Sequence, residues 1–289
     1  MADEEHEEHE EHEEPSLLSD DVDGVRTLTL NRPRRKNAID DGLLTALREA
    51  FITAGEDRSV RALVLTGAGG AFSSGADISG LAKSAHPMYR MRKYSDVTLL
   101  LHELPIPTIA KVNGIAVGAG WNLALGCDLV VATPTSTFSQ IFARRGLSLD
   151  CGGSWLLPKL TGLQQAKRLA LLAEMIDAGE AKSLNLVTWV VPEAEIDAFV
   201  NDLGARLTAG PPIAIAQNKA LLNEGADRTL RDALANEARA QGVNFATADV
   251  PEAFAAFAGK REPAFTGQWA ANGVGPLLPA AATTENPHA

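Results

Sequence analysis

GAGGAFSSGADI at residues 67–78 and VNGIAVGAGWN at residues 112–122 are the two stretches that say most about this chain. Each follows a short apolar segment of β type, and each leads into a helical pattern. Glycine allows the backbone to approach a bound group closely, and free N–H groups at a helix start stabilise negative charge. Two such turns facing each other would direct two N–H donors at one oxygen atom, which is an oxyanion hole.

The composition is that of a folded body with one strongly charged end. The chain has 289 residues, of which 45% are hydrophobic, so it can bury a substantial core. Its net charge is -11, but residues 1–14 hold nine acidic residues and no Lys or Arg, which leaves -2 for the rest. We find no basic stripe and no apolar run of about 18 residues, so neither a nucleic-acid nor a membrane partner is predicted.

The predicted setting is cytoplasmic. The acidic start is opposite in sign to a signal or transit peptide. Two cysteines, Cys127 and Cys151, in a chain of this length do not indicate a disulfide framework.

Both ends of the chain have compositions typical of disorder. Residues 1–15 repeat Glu-Glu-His, with imidazoles at His6, His9 and His12. A segment this charged cannot bury enough surface to fold, so we expect a solvated tail. Weak binding of a divalent metal by the imidazoles is the alternative. Residues 269–289, rich in Ala, Pro, Thr and Gly, are predicted to form a second disordered tail.

Between the tails, strand-like and helix-like segments alternate over residues 16–195. Residues 25–30 alternate as a half-buried strand does, and Asp40 or Asp41 is a candidate N-cap for a helix with apolar residues at helical spacing. Strands separated by helices predict an α/β body built of ββα units. Strand signals end near residue 195, so residues 196–268 are predicted to be a C-terminal helical region.

Further motifs stand in a specific order along the chain. They include LNRP at residues 30–33, KNA at residues 36–38, CDL at residues 127–129 and FAGKREPAF at residues 257–265. Together with the two glycine-rich stretches they resemble the crotonase superfamily, the enoyl-CoA hydratase/isomerase family, over residues 16–268. The resemblance implies a crotonase fold, which is a spiral of ββα units with a C-terminal helical trimerisation region. A helical cap on its own monomer is the alternative for that region.

The same resemblance implies partners and site residues. The partner would be an acyl-CoA thioester, and the assembly a homotrimer or a dimer of trimers. We expect no metal or redox cofactor, because the sequence has neither a dinucleotide fingerprint nor a ligand cluster outside the tail. The oxyanion-hole donors would be the backbone N–H groups of Ala76 and Ala119, which would stabilise an enolate of the thioester.

The catalytic carboxylates of the family's hydratases are missing from their expected places. Those enzymes resemble one another in having two glutamates that activate a water molecule. Here the matching positions hold Asn122 and Phe142, neither of which can accept a proton at neutral pH. Asn122 is predicted either to orient the acyl chain by a hydrogen bond or to be a polar residue in the first turn of a helix.

A carboxylate occurs elsewhere, at Asp150. The pattern Gly-Leu-x-x-Asp-x-Gly-Gly at residues 146–153 resembles the branch that includes ring-1,2-epoxyphenylacetyl-CoA isomerases and Δ3,Δ2-enoyl-CoA isomerases. One carboxylate can take a proton at one carbon and return it at another, so a single base suffices for isomerisation. The alternatives are that Asp150 caps the following helix, or that it is a covalent nucleophile as in aryl-CoA dehalogenases of the superfamily.

Coenzyme A contacts are carried over from the resemblance alone. The implied binding residues are Arg34, Lys36, Ala38, Ala76, Asp77, Ile78, Ala119, Gly120 and Lys260. The lysine would approach the nucleotide phosphates, often from a neighbouring subunit, whereas Arg35 and Arg261 are expected to be surface charges.

The favoured reaction is therefore double-bond isomerisation of an enoyl-CoA. The alternatives are an enoyl-CoA hydratase, classed as a lyase, with a non-standard carboxylate set, and a non-catalytic protein that binds CoA esters.

Overall fold

The computed structural model describes residues 14–77, 79 and 86–270. Within this part of the chain, strands form a six-stranded sheet in the order β1-β2-β3-β5-β7-β10 and a four-stranded sheet in the order β4-β6-β8-β9. Only the β1–β2 and β8–β9 pairs are antiparallel. The strands are β1 (Leu17–Val22), β2 (Val25–Leu30), β3 (Ala62–Gly67), β4 (Ala71–Ser73), β5 (Thr108–Val112), β6 (Ile115–Val117), β7 (Leu129–Ala132), β8 (Thr137–Ser139), β9 (Ile176–Asp177) and β10 (Trp189–Val190).

The helices surround these sheets. Asp40 begins the first of them, because its carboxylate accepts a hydrogen bond from the Leu43 N–H at 2.8 Å, which confirms one of the two predicted caps. Short 3-10 helices cover Pro33–Arg35 and Ile141–Arg145. The α-helices are α1 (Asp41–Glu56), α2 (Pro87–His102), α3 (Ala119–Gly126), α4 (Gly153–Thr161), α5 (Leu163–Leu172), α6 (Ala178–Ser183), α7 (Ile196–Ala209), α8 (Pro212–Gly225), α9 (Leu230–Phe245) and α10 (Asp249–Gly259).

A repeated unit of two strands and a helix organises the body, as predicted. The pairs β3–β4, β5–β6 and β7–β8 each give their first strand to the large sheet and their second strand to the small sheet. A helical segment follows each pair. Because β4, β6 and β8 are adjacent and parallel, their carboxyl ends lie at the same edge of the small sheet.

Helix α7, the first helix after residue 195, packs on the large sheet. The apolar face of α7 packs on the outer face of the large sheet, in a cluster formed by Val64, Ile109, Val131, Val191, Ile196, Val200 and Leu203. Helices α8, α9 and α10 complete the helical part of the chain that follows residue 195.

Some predictions concern residues outside the described part of the chain. Most of the predicted tails, with His6, His9 and His12, lie there, and so does Ile78. None of the described helices is long and apolar enough to cross a bilayer.

Candidate active site

The two glycine turns meet at the carboxyl ends of β4 and β6. Ala76 follows β4, and Ala119 is the first residue of α3, directly after β6. A β-carbon on Gly75 would lie 2.8 Å from the Val117 carbonyl oxygen and 3.6 Å from the Ala119 nitrogen, so only glycine lets the turns come this close. Among the described residues, no acceptor takes a hydrogen bond from either alanine N–H.

A cavity of about 490 Å³ opens at this edge of the small sheet. Both alanines line it, and its remaining walls come from the turns and from the segment that follows β8. The lining residues are Arg35, Lys36, Ala38, Ser74, Gly75, Ala76, Asp77, Ile115, Val117, Gly118, Ala119, Ile141, Phe142, Arg145, Leu147, Asp150 and Met175. Three adjacent parallel strands thus deliver the two free N–H groups and a carboxylate to one cavity.

The carboxyl group of Asp150 has the environment of a base. One of its oxygens, Oδ1, is buried and makes no hydrogen bond to the described residues. Burial raises the pKa of Asp150 from 3.8 to about 6, and a hydrogen bond from Cys151 offsets this only in part. A carboxyl group with this pKa can both accept and return a proton near neutral pH.

The structure bears on the alternatives for Asp150. Gly152 occupies the N-cap position of α4, and no side chain caps that helix, so Asp150 is not its cap. The resemblance to aryl-CoA dehalogenases implies that a nucleophilic aspartate would be paired with tryptophan and histidine, and neither residue type is among the described residues that line this cavity. His102 packs instead against Trp155, with ring centroids 5.2 Å apart.

Both polar atoms of the Asn122 amide are engaged by other protein groups, which differs from the expectation that the amide orients the acyl chain. The residue is completely buried and does not line the cavity. Its Nδ2 donates a hydrogen bond to the Asp150 carbonyl oxygen at 2.8 Å, and its Oδ1 accepts one from Gln140 Nε2 at 2.8 Å. The side chain therefore holds the backbone that carries Asp150.

The cavity holds one available carboxylate among its described residues. Phe142, at the position of the second hydratase glutamate, lines the cavity with an apolar ring. The other lining carboxylate, Asp77, accepts hydrogen bonds from Ser79 at 2.6 and 3.0 Å and from Arg32 at 3.1 Å. These contacts lower the pKa of Asp77 to about 2, so its carboxylate stays ionised and remains engaged by Ser79 and Arg32.

The cationic rim of the cavity contains part of the predicted set of CoA contacts. Lys36 and Ala38 line the cavity together with Arg35, whereas Arg34 does not. Sequence reasoning also missed Arg145, which lines the cavity from the 3-10 helix that follows β8. The sequence signal for a cationic contact was the pair of arginines at residues 144–145, two and three residues after Phe142.

Of the other predicted CoA contacts, Ala76, Asp77 and Ala119 line the cavity, whereas Gly120 and Lys260 do not. The Asp77 N–H donates to the Ile39 carbonyl, so that N–H is not free for a ligand. A β-carbon on Gly120 would lie 2.5 Å from the Ser73 β-carbon, so Gly120 serves close packing. Lys260 is exposed at the end of α10 and does not line the cavity, so its contact from a neighbouring subunit stays a prediction.

A larger cavity of about 830 Å³ lies elsewhere, between the end of α1 and the segment from Thr266 to Trp269. Neither glycine turn reaches it. The N–H groups of Ala76 and Ala119 and the Asp150 carboxylate place the candidate site in the smaller cavity.

Comparison with known proteins identifies the family of this chain. The enoyl-CoA hydratase/isomerase family model matches residues 20–268. A probable enoyl-CoA hydratase of Rhodobacter capsulatus is 38% identical over 85% of this chain and 96% of its own length. The 1,2-epoxyphenylacetyl-CoA isomerase of Escherichia coli is 36% identical over 87% of this chain and 98% of its own length.

Solved structures give the same result. An enoyl-CoA hydratase from Bacillus anthracis superimposes with a TM-score of 0.84, at 30% identity, and covers 88% of this chain and all of its own. The fold and the cavity therefore define a crotonase-fold enzyme that acts on acyl-CoA thioesters. The chain belongs to the enoyl-CoA hydratase/isomerase family.

Proposed function

We propose that this protein isomerises the double bond of an enoyl-CoA, with Asp150 as the group that carries the proton. The observation that supports this most is that, among the described residues, the buried Oδ1 of Asp150 has no hydrogen-bond partner and shares its cavity with two backbone N–H groups that have none either. A reaction that moves one proton needs one base and an oxyanion hole, and this cavity offers that set.

The chemistry follows from the positions of these groups. The thioester oxygen accepts hydrogen bonds from the Ala76 and Ala119 N–H groups. Asp150 removes a proton from the α carbon of a 3-enoyl thioester, and the electron pair of that C–H bond delocalises onto the thioester oxygen as a dienolate. The N–H groups stabilise the negative charge that develops. Asp150 then returns the proton to the γ carbon, which leaves a 2-enoyl thioester and the free carboxylate.

Hydration is the second candidate, because the probable hydratase of Rhodobacter capsulatus and other relatives carry that name. Hydration would require a base that activates water as well as a group that protonates the enolate. Phe142 places an apolar ring where the second carboxylate would stand. Asp150 would have to perform both tasks, which makes isomerisation the better supported reaction.

The rim charges are suited to coenzyme A. Arg35, Lys36 and Arg145 line the cavity with positive charge, and we propose that they bind the phosphates of the thioester. A protein that only binds CoA esters would use the same rim. It would have no need of a carboxylate whose pKa is raised to about 6.

We also propose a trimer formed through the C-terminal helices. No residue of α8 is fully buried, and large apolar side chains on α8, α9 and α10 are exposed, including Leu222, Leu230 and Phe257, the last 86% exposed. Apolar side chains exposed in this number indicate a protein interface. Light scattering during gel filtration is expected to give three or six times the mass of one chain, and a monomer would support the cap alternative.

The reaction is tested by incubating the protein with paired 2-enoyl- and 3-enoyl-CoA thioesters, both aliphatic and phenylacetyl-derived. Products are separated by chromatography and weighed by mass spectrometry. Isomerisation gives a product of unchanged mass and new retention time, and that product disappears with Asp150→Asn. A product heavier by one water would contradict the proposal and favour hydration. Binding without any product would favour the non-catalytic alternative.

A further inference from the structure

We infer that Gln140 and Asn122 are positioning residues that hold Asp150 at its place in the cavity through two buried hydrogen bonds in series. Gln140 Nε2 donates to Asn122 Oδ1 at 2.8 Å, and Asn122 Nδ2 donates to the Asp150 carbonyl oxygen at 2.8 Å. Both side chains are completely buried, and neither lines the cavity. This inference rests on the proposed function, in which Asp150 carries the proton.

The segment that carries Asp150 has little regular structure of its own. It runs from the end of the 3-10 helix at Arg145 to the start of α4 at Gly153. The Asp150 carbonyl accepts one backbone hydrogen bond, from the Gly153 N–H at 3.0 Å. Cys151 has a φ of 46°, a left-handed conformation that a side chain disfavours. A turn of this kind needs an external contact to keep one position, and Asn122 supplies it.

The packing around Asn122 is tight. A β-carbon on Gly153 would lie 2.5 Å from Asn122 Nδ2, so the amide fits under a residue that must be glycine. This close approach fixes the distance between α3 and the turn that carries Asp150. A side chain in such a site has little freedom to rotate, which makes it an effective support.

The two hydrogen bonds connect three walls of the cavity. Asn122 lies one turn after Ala119 on α3, and its own N–H donates to the Gly118 carbonyl at 3.0 Å. Gln140 follows β8 and immediately precedes Ile141 and Phe142, which form the apolar wall. The two hydrogen bonds therefore hold Asp150, the Ala119 N–H and the apolar wall at fixed distances from one another.

The Gln140 side chain also has a feature that general packing does not explain. Its Oε1 is buried and makes no hydrogen bond to the residues that the structure describes. An unpartnered buried acceptor disfavours folding, and an apolar side chain of the same size would avoid it. A role in positioning Asp150 accounts for a glutamine there.

The test uses Gln140→Met, which keeps the size of the side chain and removes the donor, and Gln140→Glu as a second variant of equal length. Asn122→Leu removes both hydrogen bonds. Ser136→Ala is the matched control, because Ser136 is buried and donates to the Val112 carbonyl at 2.8 Å but does not line the cavity. The pKa of Asp150 is followed by NMR of aspartate labelled with ¹³C at the carboxyl carbon, with the signal assigned from Asp150→Asn.

We expect both Gln140 variants to lower kcat, by up to about 100-fold, with little change in KM. In Gln140→Met the pKa of Asp150 should fall towards its ordinary value, because the released turn gives the carboxyl group more access to water. The double variant Gln140→Met/Asn122→Leu should lose no more activity than Asn122→Leu, because both substitutions break one chain of contacts. Ser136→Ala should lower the free energy of unfolding and leave kcat and the pKa of Asp150 unchanged.

Three results would overturn the positioning role. They are an unchanged pKa and kcat in both Gln140 variants, losses that multiply in the double variant, and a loss of kcat in Ser136→Ala as large as in Gln140→Met. Failure of the proposed function is a separate outcome. If Asp150→Asn keeps full activity, Asp150 is not the proton carrier, while the NMR signal still reports whether Gln140 and Asn122 hold it.

Discussion

The Asp150→Asn variant replaces one carboxylate oxygen by an amide nitrogen and keeps the shape of the side chain. Burial raises the pKa of Asp150 from 3.8 to about 6, so the native protein holds this proton more tightly than the unfolded chain. Ionisation of Asp150 therefore destabilises the fold as the pH rises from about 4 to about 6. At about 1.4 kcal/mol per pKa unit, the penalty above pH 6 reaches about 3 kcal/mol.

Asparagine stays neutral and avoids this penalty. We expect Asp150→Asn to be more stable than the wild type at pH 8, and the difference to shrink as the pH falls from 6 towards 4. The measurement is urea denaturation followed by tryptophan fluorescence across this range. The same variant should lose at least about 100-fold in kcat, the lower part of the range that a positioned base contributes. In the wild type, kcat/KM should rise with pH up to about 6 and then level off.

Asp77→Asn is the matched control in the same cavity. Hydrogen bonds from Ser79 and Arg32 lower the pKa of Asp77 to about 2, so its ionised form stabilises the native state. That contribution is present above pH 4 and is lost as the pH falls towards 2. Asp77→Asn should therefore destabilise the protein at pH 8. An Asp150→Asn variant that is fully active, or less stable than the wild type at pH 8, would refute the reasoning.

Further predictions concern the oxyanion hole, the rim and the packing. Ala119→Pro removes an N–H at the first position of α3, where proline fits, and should lower kcat about 100-fold to 1,000-fold. Ala119→Gly keeps the N–H, so its kcat should stay close to that of the wild type. Equal kcat values for Ala119→Pro and Ala119→Gly would argue against the Ala119 N–H as an oxyanion donor. Arg145→Ala should raise KM for the CoA thioester about tenfold in steady-state assays, and Arg144→Ala, outside the cavity lining, should not. Gly120→Ala places a β-carbon 2.5 Å from a β4 side chain and should lower the free energy of unfolding by about 1–3 kcal/mol. In the same denaturation experiment Gly225→Ala should raise the free energy of unfolding, because a β-carbon at residue 225 meets no atom within 4 Å and alanine favours a helix more than glycine does.

Much of the body could be predicted because its signals are local. The alternation of residues 25–30 predicted β2, and Asp40 with its helical apolar spacing predicted α1. The glycine turns predicted where backbone N–H groups would be free. Each of these features depends on neighbours within about one turn or strand, which a sequence displays directly.

The failures are contacts between distant segments. The partners of Asn122 are Asp150, 28 residues away, and Gln140, 18 residues away, so spacing alone could not show that its amide is fully engaged. Arg34 and Arg35 are neighbours in a 3-10 turn, where successive side chains point about 120° apart. Which of the two faces the cavity depends on how that turn packs, and the sequence does not specify it.

The central claim is that one carboxylate moves a proton without activating water. Running the reaction in H₂¹⁸O with a 3-enoyl-CoA and with the matching 2-enoyl-CoA tests this most directly, with mass spectrometry of the acyl products after a single turnover and at equilibrium. We predict interconversion of the two thioesters with no ¹⁸O in either product. Incorporation of one ¹⁸O atom at a rate equal to substrate loss would show hydration, and would contradict the role assigned to Asp150.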